Sequence, residues 1–437
     1  MTTVTVIGAG YVGLTTAACL AHLGHRVHTV DIDTKRLRRL ASGHIDLLEP
    51  ELPEMIHRHQ RTGQLTFTDT AAPCFAESGA VFLCLPTPAR VDGSADLTAI
   101  DTTIPQLRRH LAPGGQIVVK STVPPGTHCQ LTAALDRSDI AVISNPEFLR
   151  EGSAVHDWLH PDRLVLGANN LEHAHRAAAL YHGINAPLVL TDPTSAELIK
   201  YAANTFLAMK ITYANTLAEL SEHLGANITD VCTGLEHDPR IGGQYLRPGP
   251  GWGGPCLPKD TRALLALGDH TSADLSLLQA IVRANAHHQR RISTLIEKLL
   301  PRPLTGARIG VLGLTFKPGT NDLRDSPALA ITTALAARHA HVTAYDPAIT
   351  HTVPGLTDHL THAPDAATAL ADCDAALLLT DWPQFTRLPW RTLARTMRGA
   401  LVLDTRGLLD ATDVARTGLR LHAIGQATAT RPTAKTA

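Results

Sequence analysis

The chain has 437 residues, with 39 lysines and arginines against 40 aspartates and glutamates, 44% hydrophobic residues and 4% aromatic ones. That length accommodates roughly two to three domains with aliphatic cores. The near-neutral charge argues against a protein built to lie on nucleic acid or on anionic membrane. The seven cysteines include no C-x-x-C, no H-E-x-x-H occurs, and no apolar run is long enough to cross a bilayer. With no secretory pattern at the N-terminus, the expectation is a cytoplasmic protein with free thiols and no metal site.

The opening stretch, VTVIGAGYVGLTTAACLAHLGHRVHTVDID, predicts a strand over Val4 to Ile7, a helix over Tyr11 to Leu23 stopped by Gly24, and a second strand over Arg26 to Val30. Gly8, Gly10 and Gly13 form G-x-G-x-x-G in the first turn. Gly8 permits the tight turn, Gly10 lets a pyrophosphate approach the backbone, and Gly13 lets helix pack on strand. The helix N-terminus then faces the phosphates. Asp31 ends the second strand, where a carboxylate would accept both ribose hydroxyls and repel a 2′-phosphate, so NAD is expected over NADP. A Rossmann domain binding FAD would carry the same turn. AVFLCLPTP, QIVVKSTVPPGT and IAVISNPEF predict further strands, each running into a polar, proline-containing turn. Such turns lie at the carboxyl ends of parallel strands, where ligands bind. Thr87, Thr122 and Glu147 are therefore expected to face one crevice, although each threonine suits a turn or cap equally well.

TDPTSAELIKYAANTFLAMKITYANTLAELSEHLG predicts one helix from about Ser195 to Leu224, with Thr194 and Glu197 as a capping box and Gly225 as its stop. Its span of about 45 Å suits a domain connector or a subunit interface. Lys200 and Asn204 lie one turn apart on it, within reach of one small ligand, though a lysine on a helix is commonly only solvated. PGPGWGGPCLPKD, residues 248–260, then crowds four glycines and four prolines around Cys256, with Lys259 and Asp260 behind it. Backbone of that kind lets other groups come close. A helical run from Ala273 to Leu300 leads to PRPLTG, a Pro-rich break that reads as a linker.

TGARIGVLGLTFKPGTNDLRDSPALAITTALAARHAHVTAYDP repeats the strand–turn–helix–strand logic of the N-terminus without G-x-G-x-x-G. AALLLTDW and ALVLDTRGLLD add strands. Lys317, Arg324 and Arg406 fall at strand ends, where cations would hold a phosphate or carboxylate by charge. The expected fold is α/β: two Rossmann-like, doubly wound parallel-sheet domains, residues 1–193 and 301–426, joined by a central helical domain, 194–300. ATATRPTAKTA, residues 427–437, reads as a disordered tail.

With GAGYVGLTTAACLAHLGH, LPTP, DGSADL, KSTVPPGT, NPEFLREG, PDRLVLG, AELIKYAANTFLAMKI, DPRIG, GPGWGGPCLPKD and GLTFKPGTNDLRDSPAL in order, nearly the whole chain resembles the UDP-glucose/GDP-mannose dehydrogenase family, most closely its UDP-glucose branch. The resemblance implies an NAD-dependent four-electron oxidation of the C6 alcohol of UDP-glucose to UDP-glucuronate, without release of the aldehyde. Cys256 matches the family's nucleophile, which would capture that aldehyde as a thiohemiacetal and pass through a thioester. Lys200 and Asn204 match the residues that stabilise oxyanions on C6. Asp260 would orient water or take protons, Glu147 would assist thioester hydrolysis, and Thr122 would hold the water.

By the same resemblance NAD would be held by the glycine turn with Val12, by Asp31 and Arg36, by Thr87 and Thr122, and by Glu151, Lys259 and Arg324. The sugar nucleotide would meet Glu147, Phe148, Leu149, Arg150 and Glu151, then Lys200 and Asn204. It would also meet Tyr245, Leu246, Arg247, Pro248 and Gly249, the backbone of Gly253, and Lys317 and Arg406. Arg240 matches an arginine that reaches the site from a neighbouring subunit, which implies a homodimer or higher homo-oligomer with the long helix as interface. Glu51 stands at the glycine of the family's E-P-G-L turn, and Asn321 stands where an acid is common. Trp252 and Pro255 are expected to line the pocket and so to bear on the sugar. GDP-mannose or a UDP-N-acetylhexosamine would undergo the same chemistry. A two-electron hydroxyacid dehydrogenase and a non-catalytic nucleotide-sugar-binding paralogue are the remaining readings.

Overall fold

A computed structural model describes residues 1–268, 271–350 and 360–426. The expected tail at 427–437 lies outside the described residues. The chain divides into two compact units, Met1–Ala203 with Arg262–Ser272, and Asn204–Thr261 with the described residues from Ala273 onward.

The first unit is built on eight strands: β1 (Thr3–Ile7), β2 (Arg26–Val30), β3 (Leu65–Thr68), β4 (Ala80–Leu83), β5 (Gln116–Val119), β6 (Ala141–Ser144), β7 (Leu164–Gly167) and β8 (Leu188–Thr191). Their order is β3-β2-β1-β4-β5-β6-β7-β8, parallel except where β6 meets β7. The first six follow the 3-2-1-4-5-6 order of a dinucleotide-binding sheet. β1, β4, β5 and β6 are buried along nearly their whole length, polar positions such as Thr5, Gln116 and Ser144 included, because helices cover both faces. On one face α1 (Tyr11–His22) buries Leu14, Ala17, Ala18 and Leu20 against Val4, Val6 and Phe82. On the other, Ile104, Leu107, Leu131 and Leu135 pack on Val81, Leu83, Ile117 and Val119. α2 (Thr127–Leu135) belongs to that second layer.

α3 (Pro193–Leu224) is a single helix of 32 residues. It starts earlier than its sequence predicts, and the expected capping box does not form. Asp192 is the cap instead: its carboxylate accepts from the N–H of Ser195 at 2.8 Å and from the Ser195 hydroxyl at 2.6 Å. Pro193 then fills the first turn, where a missing N–H costs nothing. Glu197 is drawn elsewhere. It accepts from the N–H groups of Gly126 (2.7 Å) and His128 (2.9 Å) at the start of α2, and from the Ser144 hydroxyl at 3.1 Å. Burial raises its pKa even against these donors.

The second unit carries β9 (Arg308–Leu312), β10 (His341–Tyr345), β11 (Leu360–His362), β12 (Ala375–Leu378), β13 (Leu401–Asp404) and β14 (Arg420–Ala423). Their order, β11-β10-β9-β12-β13-β14, is again 3-2-1-4-5-6, parallel throughout. Ile309, Val311, Leu377 and Leu403 meet Ile331, Leu335, Ile292 and Ile296 on one face. The other face packs on Phe385, Trp390 and Leu393. The helical run expected from Ala273 is observed as Ser276–Leu299. The cysteine segment leads into a helix that the sequence reading had not placed, α4 (Leu257–Gly268).

Candidate active site

In the first unit the glycine turn has the geometry its spacing demands. Gly8 sits at φ +100, and a β-carbon there would meet the Cys84 carbonyl oxygen at 2.4 Å; one at Gly13 would meet the Gly8 carbonyl oxygen at 1.8 Å. Nothing lies within 4 Å of a β-carbon at Gly10, the position expected to face a pyrophosphate. No side chain caps α1 and its first turn holds no acid, so its terminal N–H groups suit a phosphate. Asp31 accepts from the N–H of Ala9 at 2.6 Å and of Asp33 at 2.8 Å, with the Arg36 guanidinium 3.5 Å away. Val12 packs at the edge of the core beneath. The donor set fits a dinucleotide with an unphosphorylated ribose.

The carboxyl ends of β4, β5 and β6 carry the next residues. The Thr87 hydroxyl donates to the Thr122 carbonyl at 2.9 Å, which brings that pair together. Glu147 is 7% exposed and forms an ion pair with Lys200 of α3 at 3.0 Å. Its other oxygen accepts from the Leu149 N–H at 2.6 Å. Burial pushes the Glu147 carboxyl up, but Lys200, the Leu149 N–H and Lys120 outweigh it and hold the group below its ordinary value. Lys200 also lies 5.4 Å from the centre of the Phe148 ring, and Arg163 stacks on that ring at 3.8 Å. The Arg150 guanidinium is held by Asp157 at 2.6 and 3.0 Å.

Two residues that the sequence reading did not single out fix this loop. Glu49, 4% exposed, accepts from the N–H of Gly152 (2.8 Å), the N–H of Ala154 (2.6 Å) and the Tyr11 hydroxyl (2.7 Å). The Tyr11 hydroxyl also reaches the Arg150 carbonyl at 2.8 Å, so Tyr11 ties the glycine turn to the loop that bears Glu147 to Glu151. The E-P motif beside Glu51 was the only signal for Glu49. Glu51 itself sits in the left-handed region, φ +67, where a glycine would be unstrained.

In the second unit Cys256 is exposed, and its carbonyl accepts the Asp260 N–H at 2.9 Å, so it caps α4. The N-terminal dipole of a helix favours a thiolate. Cys19, Cys74, Cys84, Cys232 and Cys373 are buried; burial pushes the thiols of Cys84 and Cys373 up to about 12 and raises the other three. Cys129, by contrast, is exposed on α2. One turn into α4, Asp260 is 1% exposed and accepts from the Asn204 amide at 2.5 Å and from Lys259 at 2.5 Å. Lys200 and Asn204, four residues apart on α3, thus each engage a buried carboxylate.

The glycines before Cys256 are needed by the chain itself. A β-carbon at Gly251 would meet Asn285, one at Gly253 the Asp325 carbonyl oxygen at 2.1 Å, and one at Gly254 the Phe316 ring. Trp252 is held in the core of the second unit. It is 6% exposed, packs with Ala208 and Ile281, and donates its indole N–H to Thr212 at 2.9 Å.

Gly249 lies beside Arg406: a β-carbon there would stand 2.8 Å from Nη1. Arg406 donates to the Leu379 carbonyl at 2.9 Å, past the end of β12. Lys317 lies over the Phe316 ring, and Arg324 pairs with Asp322. Leu246 is 2% exposed, and Arg247 pairs with Glu236 at 2.6 Å. Arg240 is exposed and bound to its neighbour Asp238.

Three family models match the chain: the NAD binding domain of the UDP-glucose/GDP-mannose dehydrogenase family over residues 2–185, its central domain over 194–287, and its UDP binding domain over 310–411. A UDP-glucose 6-dehydrogenase of Rhizobium meliloti is 39% identical, covering 97% of this chain and 99% of its own. The solved UDP-glucose dehydrogenase of Pyrobaculum islandicum superposes with a TM-score of 0.90 at 35% identity, over 98% of each chain. The UDP-D-ManNAc dehydrogenase of Pyrococcus horikoshii follows with a TM-score of 0.84 at 27% identity, over 97% of this chain and 99% of that one.

Proposed function

Because the chain belongs to the UDP-glucose/GDP-mannose dehydrogenase family, we propose that it oxidises the C6 alcohol of UDP-glucose to the carboxylate of UDP-glucuronate in two successive two-electron steps. Membership makes it an NAD-dependent dehydrogenase. When bound, NAD serves as the electron acceptor in each step. The match to a UDP binding domain supports a UDP-sugar, and the 39% identical relative supports glucose. The observation that carries the cysteine chemistry is an exposed thiol capping α4, with a buried and doubly held carboxylate one turn behind it.

In this reading the first oxidation leaves an aldehyde at C6. The Cys256 thiolate adds to it, forming a C–S bond and an alkoxide. The Lys200 ammonium and the Asn204 amide stabilise that oxyanion. Loss of two more electrons from C6 gives the thioester. Water, positioned by Thr122 and Asp260, adds to the thioester carbonyl while Glu147 accepts its proton. The C–S bond then breaks and the thiolate returns. The balance is one alcohol and one water consumed, four electrons passed on and a carboxylate formed. Glu147 suits the role because Lys200 keeps it ionised, and therefore able to accept a proton, at neutral pH.

The same reading makes the protein a homodimer through α3. Phe206, Tyr213 and Leu220 recur every seven residues and are 55%, 53% and 48% exposed, an apolar stripe that a second copy would cover. Arg240, exposed as it is, would then reach its neighbour's site.

Incubation with NAD and UDP-glucose tests the chemistry. Two NADH per sugar with UDP-glucuronate as product is the expected result. Two NADH with a different sugar nucleotide would retain the mechanism and replace the substrate. One NADH per sugar, with the aldehyde trapped by hydroxylamine, would overturn the role of Cys256. Cys256→Ser is expected to stop turnover by a factor on the order of 10³ while sugar-nucleotide binding survives. Replacing Phe206 and Tyr213 together with glutamate should yield monomers by light scattering.

A further inference from the structure

Behind the Glu147–Lys200 pair lies a second lysine that none of this chemistry uses. Lys120 stands one residue past β5 and is 4% exposed. Its ammonium lies 3.2 Å from Asn145 Oδ1 and 3.5 Å from the Tyr181 hydroxyl, both neutral. Tyr181 donates to the same Asn145 oxygen, and the Asn145 amide donates to the Val165 carbonyl at 2.8 Å. Asn145 is thus fixed from three sides, and it is the first residue of the Asn145–Pro146–Glu147 turn. Trp158 stacks on Tyr181 at 5.3 Å, and Phe82 meets it edge-on, closing the pocket against water. A buried ammonium without a hydrogen-bonded carboxylate is costly, and such a group persists where its charge serves a neighbour.

We propose that Lys120 is a positioning residue for Glu147: its ammonium fixes Asn145 and with it the turn, and its charge, added to that of Lys200, keeps Glu147 a carboxylate. The inference rests on the reading of Glu147 as the acceptor of the hydrolytic proton. The groups facing Lys120 are the thiols of Cys84 and Cys19, Glu147 and Lys200. Those facing Glu147 are Lys200 and Lys120, with the phenol of Tyr11 and the thiol of Cys84 also within its field. Burial foremost, helped by the charge on Lys200, brings Lys120 down to about 8, whereas Cys84, Glu147 and Cys19 oppose the fall. Lys120 is therefore cationic below pH 8, which includes the acid range in which Glu147 takes up its proton.

The sign of the effect follows. Without the Lys120 charge, Glu147 takes up its proton at higher pH, so the acid limb of kcat moves upward. The experiment is the pH profile of NADH formation by the full-length protein with Lys120→Met and Lys120→Gln. A shift of about one unit is expected, costing roughly tenfold in kcat on the acid slope and little above pH 8, with KM for NAD unchanged. Tyr181→Phe removes one oxygen and keeps the charge, and should leave the limb in place. A uniform loss at every pH, an equal shift in Tyr181→Phe, or failure of both neutral variants to fold would make Lys120 structural and overturn the proposal. Glu147→Gln separates the premise: if it leaves activity and profile intact, the reading of Glu147 fails. If it impairs turnover while Lys120→Met leaves the limb alone, only the role of Lys120 fails.

Discussion

The two sheets share a strand order and a first turn, yet they treat the same carboxylate in opposite ways. After β1, Gly8 donates to the Val30 carbonyl at 2.8 Å and Ala9 donates to Asp31 at the end of β2. After β9, Gly313 donates to the Tyr345 carbonyl at 2.8 Å and Leu314 donates to Asp346 at the end of β10. The glycines have φ +100 and +99. There the likeness stops. Asp31 accepts two backbone N–H groups and keeps capacity for a diol. Asp346, with no exposure, also takes the N–H and hydroxyl of Thr315, the Ala348 N–H and the Trp382 indole. In the first sheet α1 begins three residues after the turn glycine; in the second the next helix waits until Pro327. The lengthened loop carries Lys317 and Arg324. A shared topology therefore leaves the ligand chemistry open, and the side chains over the acid and the length of the turn decide it.

The equivalence of the turns is the hardest test. Gly8→Ala and Gly313→Ala would each force a β-carbon onto backbone, at 2.4 Å from the Cys84 carbonyl oxygen and 2.5 Å from the Thr380 nitrogen. Both are expected to lose about 3–5 kcal/mol in denaturant unfolding. A mild result in only one domain would break the parallel. The acids should then diverge. Asp346→Asn is expected to cost about 2–3 kcal/mol of stability with KM for NAD unchanged. Asp31→Asn should weaken NAD about tenfold, read by fluorescence titration, while stability changes by less than about 1 kcal/mol. Arg406→Ala should raise KM for the sugar nucleotide about tenfold, with KM for NAD unmoved. The smallest effect concerns Glu51 at φ +67, where Glu51→Gly should relieve strain and stabilise by about 0.5–1 kcal/mol in thermal unfolding.

These differences bear on what the sequence could disclose. The first β–α–β unit was legible because G-x-G-x-x-G and Asp31 are local signals at fixed spacing. The strand Arg308–Leu312 was legible as an apolar run ending in glycine. β3, β7, β8, β11 and β14 were not singled out. They are three or four residues long, and several are half-buried mixtures such as LTFT, LTH and RLHA, so neither alternation nor a long apolar run marks them. The capping box misled because Thr194 and Glu197 have the right spacing, whereas Asp192–Pro193 upstream is the stronger start and the partners of Glu197 lie 53 to 71 residues away. Distance in the chain also hid Lys120, whose partners Asn145 and Tyr181 stand 25 and 61 residues along. Cys256, Lys200, Asn204 and Asp260 took their expected roles from the family's motifs, while helix period alone would have left Lys200 a solvated surface group.

The indole seated on Asp346 gives the molecule an uneven optical signature. Of the four tryptophans, Trp158 belongs to the first unit, and Trp252, Trp382 and Trp390 belong to the second. Emission on excitation of indole therefore reports chiefly on the second unit, and Trp382, hydrogen-bonded to Asp346 at 3.1 Å and to Thr315 at 3.2 Å, will redden when that turn opens. Far-ultraviolet dichroism weighs the helices of both units. If the two signals separate in a denaturation curve, the half of the chain that carries Lys317, Arg324 and Arg406 melts as a unit of its own.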